Sequence, residues 1–241
     1  ERPAMARNEN DTPHNGAIPS ARPPRKLPAS FASGPPKPKV RKLPRFGGEH
    51  SATHAMPDLV LQQPAICSWH AEEVDLHCDG LLRRHVEGTL GPLGFDVEWP
   101  VTFRQGQAPL PVATVQLAAD GDVFVFQVSP ARGGLPPRLR ALLEEPTLPK
   151  AGVGISNDAL KLRRDYGLRC AGLLDLSQLA ACALADGARP WCLAELCERV
   201  LRRRLRKCAE LRTGSNWAAA QLTAEQLEYA ALDAWAGRLL A

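Results

Sequence analysis

The sequence predicts one α/β domain in which a mixed sheet, an antiparallel meander continued by parallel strands, is flanked by helices and preceded by a disordered basic tail. Three observations predict it. β-patterned runs follow one another over 93–99, 112–118 and 123–128, and Asp120-Gly121-Asp122 between the last two has the chemistry of a hairpin turn. Beyond them, short apolar strands are separated by helical stretches. Finally, 10 of the 22 prolines fall in the first 50 of 241 residues, where 10 basic and 4 acidic residues give a charge of +6, against −2 for the remainder.

Taken in order, residues 1–57 are rich in Pro, Ser and Gly and poor in aliphatic side chains, so they bury too little apolar surface to offset the entropy of ordering. Lys37, Lys39, Arg41, Lys42 and Arg45 form a basic cluster there. It reads as a nuclear-import signal, an arm that grips nucleic acid, or a solvated linker. The expected location is intracellular, with the nucleus favoured over the cytosol or an organelle. The globular domain is expected over 58–241. Leu93–Trp99, Val112–Ala118 and Val123–Val128 read as strands, and Arg138–Glu145 as a short helix. Ala151–Ser156 reads as a small-residue strand. Asp158–Tyr166 then reads as a helix closed by Gly167, which adopts left-handed geometry without penalty. Leu173–Leu176 completes the strands. Helices are expected over Leu193–Leu201 and Thr223–Leu240, the latter opened by the capping-box spacing Thr223-Ala-Glu-Gln226.

Composition removes several kinds of chemistry. No run of about 18 apolar residues occurs, which excludes a membrane-spanning helix. All six histidines precede residue 90, so the later chain has no imidazole for a Ser-His-Asp or Cys-His arrangement or for a His-rich zinc hydrolase site. The seven cysteines are odd in number and scattered, unlike a secreted disulfide framework, and fit a reducing compartment. Cys67, His70, His77 and Cys78 follow a C-x2-H-x6-H-C spacing that matches no standard zinc pattern, and they read as packing and surface residues. Net charge is +4 with a pI near 8.8, which assigns no partner by itself. Carboxylate chemistry with hard metal ions is what remains.

The acids that fit such chemistry are few. Asp96 and Glu98, two apart on a strand, point to one face, and Leu93, Phe95 and Val97 around them suggest a sheet interior. Two like charges on one buried face repel unless a cation neutralises them. Acid-x-acid spacing is uninformative alone: four such pairs occur where about three are expected from composition. The apolar strand around Asp96 and Glu98 is what sets that pair apart. Asp158 stands at a helix start, where free N–H groups and the positive helix end favour an ionised side chain. Gly152-Val-Gly154 before it lacks the third glycine of a dinucleotide loop, which has Asn157 in its place. Tyr229 and Asp233, four apart, share one face of the last helix.

The order of these residues, Asp-x-Glu on a strand, Asp at a helix start and Tyr-x3-Asp on a late helix, resembles the DEDD superfamily of 3′-5′ exonucleases in the subtype with tyrosine in its third motif. The resemblance spans about residues 90–241. It extends through Gly94-Phe-Asp-Val-Glu-Trp-Pro100, Lys150-Ala-Gly-Val-Gly-Ile155, Lys161-Leu-Arg-Arg-Asp-Tyr166, Ser215-Asn-Trp217 and Tyr229-Ala-Ala-Leu-Asp-Ala-Trp-Ala-Gly237. It implies a ribonuclease-H-like fold, 3′-5′ trimming of DNA or RNA, and two divalent ions, Mg²⁺ or Mn²⁺, held by Asp96, Glu98, Asp158 and Asp233. It further implies that Asp96 bridges the ions, that Glu98 and Asp158 complete the shell of one, and that Asp233 holds the second. Tyr229 would orient the attacking water.

A nucleic-acid partner needs cationic side chains that hold phosphate without regard to sequence. Arg199, Arg202, Arg203, Arg204, Arg206 and Lys207 crowd one helix end, close in sequence to Arg212 and Asn216, and Lys161, Arg163 and Arg164 offer a second surface. A solvated helix end whose cations complement the dipole explains the first group equally well. Trp99 and Trp217 are candidates for base stacking or core packing. The competing readings are a nuclease-like nucleic-acid-binding module with weak or no turnover, and an interaction scaffold using the proline-rich tail.

Overall fold

The structure, a computed structural model, describes residues 56–101, 108–184 and 189–241, apart from the side chains of Ala209 and Arg212. The tail expected over residues 1–57 lies outside the described residues except for Met56 and Pro57. Chain order is β1 (Ile66–Ser68), α1 (Ala71–Val86), β2 (Leu93–Glu98), β3 (Thr114–Ala118), β4 (Val123–Gln127), α2 (Pro137–Glu144), β5 (Lys150–Gly152), α3 (Ile155–Tyr166), β6 (Leu173–Asp175), α4 (Leu176–Ala183), α5 (Leu193–Leu196), α6 (Ala209–Gly214) and α7 (Ala224–Leu240). Among the described residues no helix is long and apolar enough to cross a membrane.

The strands form one sheet in the order β1-β4-β3-β2-β5-β6. β2, β3 and β4 are the antiparallel meander, and the Asp120-Gly121-Asp122 turn closes it with Gly121 at φ 95°. β1 joins β4 in parallel, and β5 and β6 extend the sheet from β2 in parallel. The α/β class and the mixed sheet expected from the sequence are therefore the ones observed.

Alternation along the meander assigns its two faces. Residues opposite one another in an antiparallel pair share a face, so Phe95 with Leu117 and Phe124, and Val97 with Val115 and Phe126, lie on one side. That side packs on Val74, Cys78 and Leu81 of α1 and on Leu139, Leu142 and Leu143 of α2. His77 belongs to the same layer, with its ring 5.0 Å from that of Phe124. Each Leu or Phe buried there contributes about 1.5–3 kcal/mol. The opposite face carries Gly94, Asp96, Glu98, Thr114, Gln116, Ala118, Val123 and Val125, and α7 covers it.

Several elements differ from expectation for local reasons. Left-handed Gly154 (φ 69°) turns the chain after β5, so the strand ends at Gly152 and Ile155 and Ser156 belong to α3. Asp158 thus falls in the first turn of that helix and does not open it. Leu176 begins α4, because the Asp175 carboxylate caps it by accepting from the Ser177 N–H. The stretch read as one helix over 193–201 is α5 followed by a π-helical turn, Cys197–Leu201, which ends at Arg202 in left-handed geometry (φ 55°). β1, α1, α4 and α6 carry no expected counterpart: only Val74, Cys78 and Leu81 of the 16 residues of α1, for example, are buried, too sparse a stripe to read against its charged surface.

α7 is enclosed nearly all round, with every residue from Tyr229 to Gly237 buried. The Thr223/Gln226 capping box starts it: the Thr223 side chain accepts from the Gln226 N–H and the Gln226 side chain from the Thr223 N–H. Small residues let it sit directly on the sheet. A Cβ at Gly94 would overlap the Ala234 carbonyl oxygen, and a Cβ at Gly237 would lie 2.8 Å from the Ala151 carbonyl oxygen. Both partners are backbone and have nowhere to go. Gly94→Ala is therefore expected to push α7 off β2 and cost about 3 kcal/mol or more, the upper end of overpacking penalties. Thermal melting followed by circular dichroism checks this; a wild-type melting temperature would contradict the seating of α7.

Candidate active site

Asp96 and Glu98 follow Gly94 on the face of β2 that α7 covers. Two strand residues advance about 6.6 Å, and one turn of helix advances about 5.4 Å, so a strand's same-face residues nearly keep pace with every fourth residue of a helix lying along it. With Gly94 seated between Ala234 and Arg238, this match carries Asp96 and Glu98 to the level of Asp233 and the turn before it. Carboxylate oxygens of Asp96, Glu98 and Asp233 lie within 4.8 Å of one another. Thr114 and Gln116, across the ladder from Glu98 and Asp96, continue the polar strip, and Gln116 Nε2 donates to Thr114 Oγ1 at 2.7 Å.

These acids form one end of a cleft of about 730 Å³, which Asp158 from α3 and Tyr229 from α7 also line. Its walls include Trp99, Val101, Val153, Leu193, Ala194 and Thr213. The structure thus brings all five sequence-predicted residues, Asp96, Glu98, Asp158, Tyr229 and Asp233, to one cavity, with Asp158 outside the tight trio. The Tyr229 ring packs against that of the fully buried Trp217, with centroids 6.1 Å apart. Trp217 is accordingly a packing residue, while Trp99 is half-buried in the cleft wall.

Burial and like charge shape the electrostatics of the cluster. Burial first, and then the like charges of Asp233, Asp158 and Glu98, hold the Asp96 carboxyl well above the usual carboxylate range, with Lys207 opposing. Burial pushes Asp158 up to about 7, against a hydrogen bond from its own backbone N–H, and Asp175 adds a smaller upward push. Burial also raises Asp233, and Lys207 draws it back. All the donors are carboxylate oxygens, the set that suits hard Mg²⁺ or Mn²⁺. An ammonium already rests on this cluster: Lys207 Nζ lies 2.5 Å from both Asp233 oxygens. The cluster therefore fits divalent cations in charge, in donor type and in spacing.

The basic residues are distributed differently from the sequence reading. Lys207, grouped there with a phosphate-holding edge, lies in the cleft on Asp233, with its ammonium 5.3 Å from the centre of the Tyr229 ring. Nothing in its local sequence separates it from its neighbours, because only the fold brings the loop to α7. Arg204 and Arg206 both pair with Asp58, at 2.6 and 2.5 Å. Lys161 is a correction: it is 7% exposed, donates to the Leu110 carbonyl at 2.7 Å and pairs with Asp165, so it anchors the segment after β2 and is not on a nucleic-acid surface. Asp165 also accepts from the Val112 N–H, and the Tyr166 hydroxyl lies 2.6 and 2.7 Å from the carbonyl oxygens of Val112 and Val128, between which its one proton is shared. The Lys161, Asp165 and Tyr166 of the sequence motif thus hold the edge of the meander. Arg164, Arg202 and Arg203 are exposed, and the side chain of Arg212 lies outside the described residues.

Comparison with known proteins is consistent with this geometry. Residues 79–241 match the 3′-5′ exonuclease family. A 3′-5′ exonuclease of Arabidopsis thaliana is 37% identical over 170 residues, covering 69% of this chain and 58% of that protein. The bifunctional 3′-5′ exonuclease/ATP-dependent helicase WRN of Mus musculus is 32% identical over 186 residues, 77% of this chain and 13% of that one. The chain therefore spans only part of the length of these relatives. Trypanosoma brucei RNase D shares the fold, with a TM-score of 0.63 at 21% identity over 76% of this chain and 64% of that chain. The sheet order, the acids on β2 and α7, and a family match over two thirds of the sequence agree: the chain belongs to the 3′-5′ exonuclease family.

Proposed function

We propose that this protein is a metal-dependent 3′-5′ exonuclease of the tyrosine subtype that hydrolyses phosphodiester bonds of DNA or RNA with two divalent cations. The observation that carries this reading is the convergence of Asp96, Glu98 and Asp233 within 4.8 Å in a cleft shared with Asp158 and Tyr229. A binding module has no physical need for carboxylates buried together at a cost to their ionised forms, whereas a phosphodiesterase does. Cations held by these groups would offset the charge that builds on the entering and leaving oxygens of an in-line displacement.

The chain's own residues have distinct tasks on this reading. Asp96, whose carboxylate lies close to those of Glu98 and Asp233, would contribute to holding both cations. Glu98 and Asp158 would complete one set of ligands and Asp233, with Asp96, the other. The Tyr229 hydroxyl, able both to donate and to accept, would orient a water by hydrogen bonding. Trp217 packs against the Tyr229 ring and would help to keep it in place. Trp99, Val153 and Leu193 offer apolar walls for sugar and base, and the exposed Arg202, Arg203 and Arg164 would hold phosphates further along the strand. Residues 58–241 would make up the nuclease domain, with the basic tail contributing affinity or targeting.

Incubation with 5′-labelled and 3′-labelled DNA and RNA oligonucleotides in Mn²⁺, Mg²⁺ or EDTA tests the reading. A ladder from the 5′-labelled strand that EDTA abolishes is expected; binding without shortening favours the nucleic-acid-binding module instead. Asp96→Asn should lower turnover roughly 10³-fold or more while the fold is retained, since cation stabilisation of the transition state is worth several kcal/mol. Tyr229→Phe should lose one hydrogen bond, about 1–2 kcal/mol or roughly tenfold in rate, and keep its Mn²⁺ affinity by calorimetry.

The raised Asp158 pKa makes stability pH-dependent. Between its ordinary value near 4 and its folded value of about 7 the folded chain binds more protons than the unfolded one, so stability in EDTA falls as pH rises through that window. The metal-free protein should therefore melt lower at pH 8 than at pH 5, and Asp158→Asn should remove much of the difference, on the order of a few kcal/mol. Mn²⁺ at a hundred times its dissociation constant should restore about 2.7 kcal/mol at pH 8. A flat melting temperature from pH 5 to 8 in wild type contradicts the burial of these charges.

A further inference from the structure

Lys207 reaches from the basic segment into the acid cluster, and its position has a consequence for metal loading. Its ammonium lies 2.5 Å from each oxygen of Asp233, so one positive group engages both. Asp233 is 7% exposed and the Lys207 side chain 38% exposed, which places the lysine on the solvent side of the carboxylate. Asp233 is also one of the three acids whose oxygens lie within 4.8 Å of one another. A divalent ion bound to Asp233 and a lysine on the same carboxylate would bring two positive charges to within about 4 Å, where they repel strongly.

We propose that Lys207 competes with a divalent cation for Asp233, serving as the counter-charge of this carboxylate in the metal-free protein and leaving it when the ion binds. The inference rests on the reading of the acids as a cation site. The local structure allows the exchange. Lys207 lies in an irregular stretch between the π-helical turn and α6. The backbone just before it is fixed: the Arg204 N–H donates to the Pro57 carbonyl at 2.9 Å, the Leu59 N–H to the Arg204 carbonyl at 2.8 Å, and Leu205 is buried. What moves is a four-carbon stem ending in a compact charge that exchanges partners readily. The ammonium also lies over the Tyr229 ring, 5.3 Å from its centre, where it is attracted by the ring face.

The test is direct Mn²⁺ binding by full-length protein, read from the free-Mn²⁺ electron paramagnetic resonance signal in the absence of nucleic acid. Wild type is expected to show one Mn²⁺ site weaker than the other, and Lys207→Met to tighten the weaker site about tenfold or more. Lys207→Arg, which keeps the charge, should bind Mn²⁺ like wild type. In EDTA, Lys207→Met should also melt at a lower temperature than wild type, because it strands the Asp233 charge, and Mn²⁺ should close that gap. Lys207→Gln serves in the same titration if the methionine variant does not fold. Unchanged or weaker Mn²⁺ binding by the uncharged variants overturns the proposal while leaving the metal site intact. That result, together with weakened oligonucleotide binding, would make Lys207 a phosphate contact only. If wild type binds no Mn²⁺ that Asp96→Asn abolishes, the metal-site reading fails and the competition with it.

Discussion

The close approach of β2 and α7 is the constraint on which the rest of the molecule depends. Gly94 on the strand and Gly237 on the helix remove the side chains that would hold the two elements apart, and the backbones meet. Once they do, the near-equality of two strand residues and one helical turn brings Asp96, Glu98 and Asp233 to one place. The acids are thus positioned by residues with no side chain at all.

That arrangement sets stability against charge. Carboxylates taken out of water into one cleft carry a cost, which the raised pKa values of Asp96, Asp158 and Asp233 express, through burial first and, at Asp96, through like charge as well. The sheet tolerates it because its other face is packed with Phe95, Val97, Leu117, Phe124 and Phe126 against α1 and α2. The strip beside the acids is polar too: Thr114 and Gln116 stand opposite Glu98 and Asp96 where apolar residues would deepen the desolvation. Lys207 supplies the positive charge that the metal-free cluster lacks, from a loop that is otherwise tied down through Asp58.

Basic residues illustrate how one sequence feature divides into several physical roles. Arg204 and Arg206 share Asp58 and fasten the start of the domain to the segment before α6. Lys161 turns inward to the Leu110 carbonyl and Asp165, and Lys150, fully buried, donates to the carbonyls of Leu142 and Glu145 at the end of α2. Burial lowers Lys150 to about 8, which marks it as a structural ammonium held by carbonyl dipoles. Charge counted along the chain therefore overstates the positive surface available to a polyanion.

Sequence alone determined what depends on neighbours in the chain. The alternation of Leu93, Phe95 and Val97 with Asp96 and Glu98 defines a strand and its two faces, Asp-Gly-Asp defines the hairpin, Gly167 ends α3, and Thr223 with Gln226 starts α7, because each is a local periodicity or a local hydrogen bond. Elements whose stability comes from tertiary packing are not legible: α1 shows too thin an apolar stripe, and the small residues over 151–156 read as one strand although left-handed Gly154 separates β5 from α3. Only the tertiary structure decided which charged groups meet. Lys207 reaches Asp233 across 26 residues, Lys161 is withdrawn into the interior, and the three carboxylates converge from β2 and α7 over more than 130 residues. Contacts of that span are set by how the helix seats on the sheet, a relation between distant backbones that no local pattern encodes.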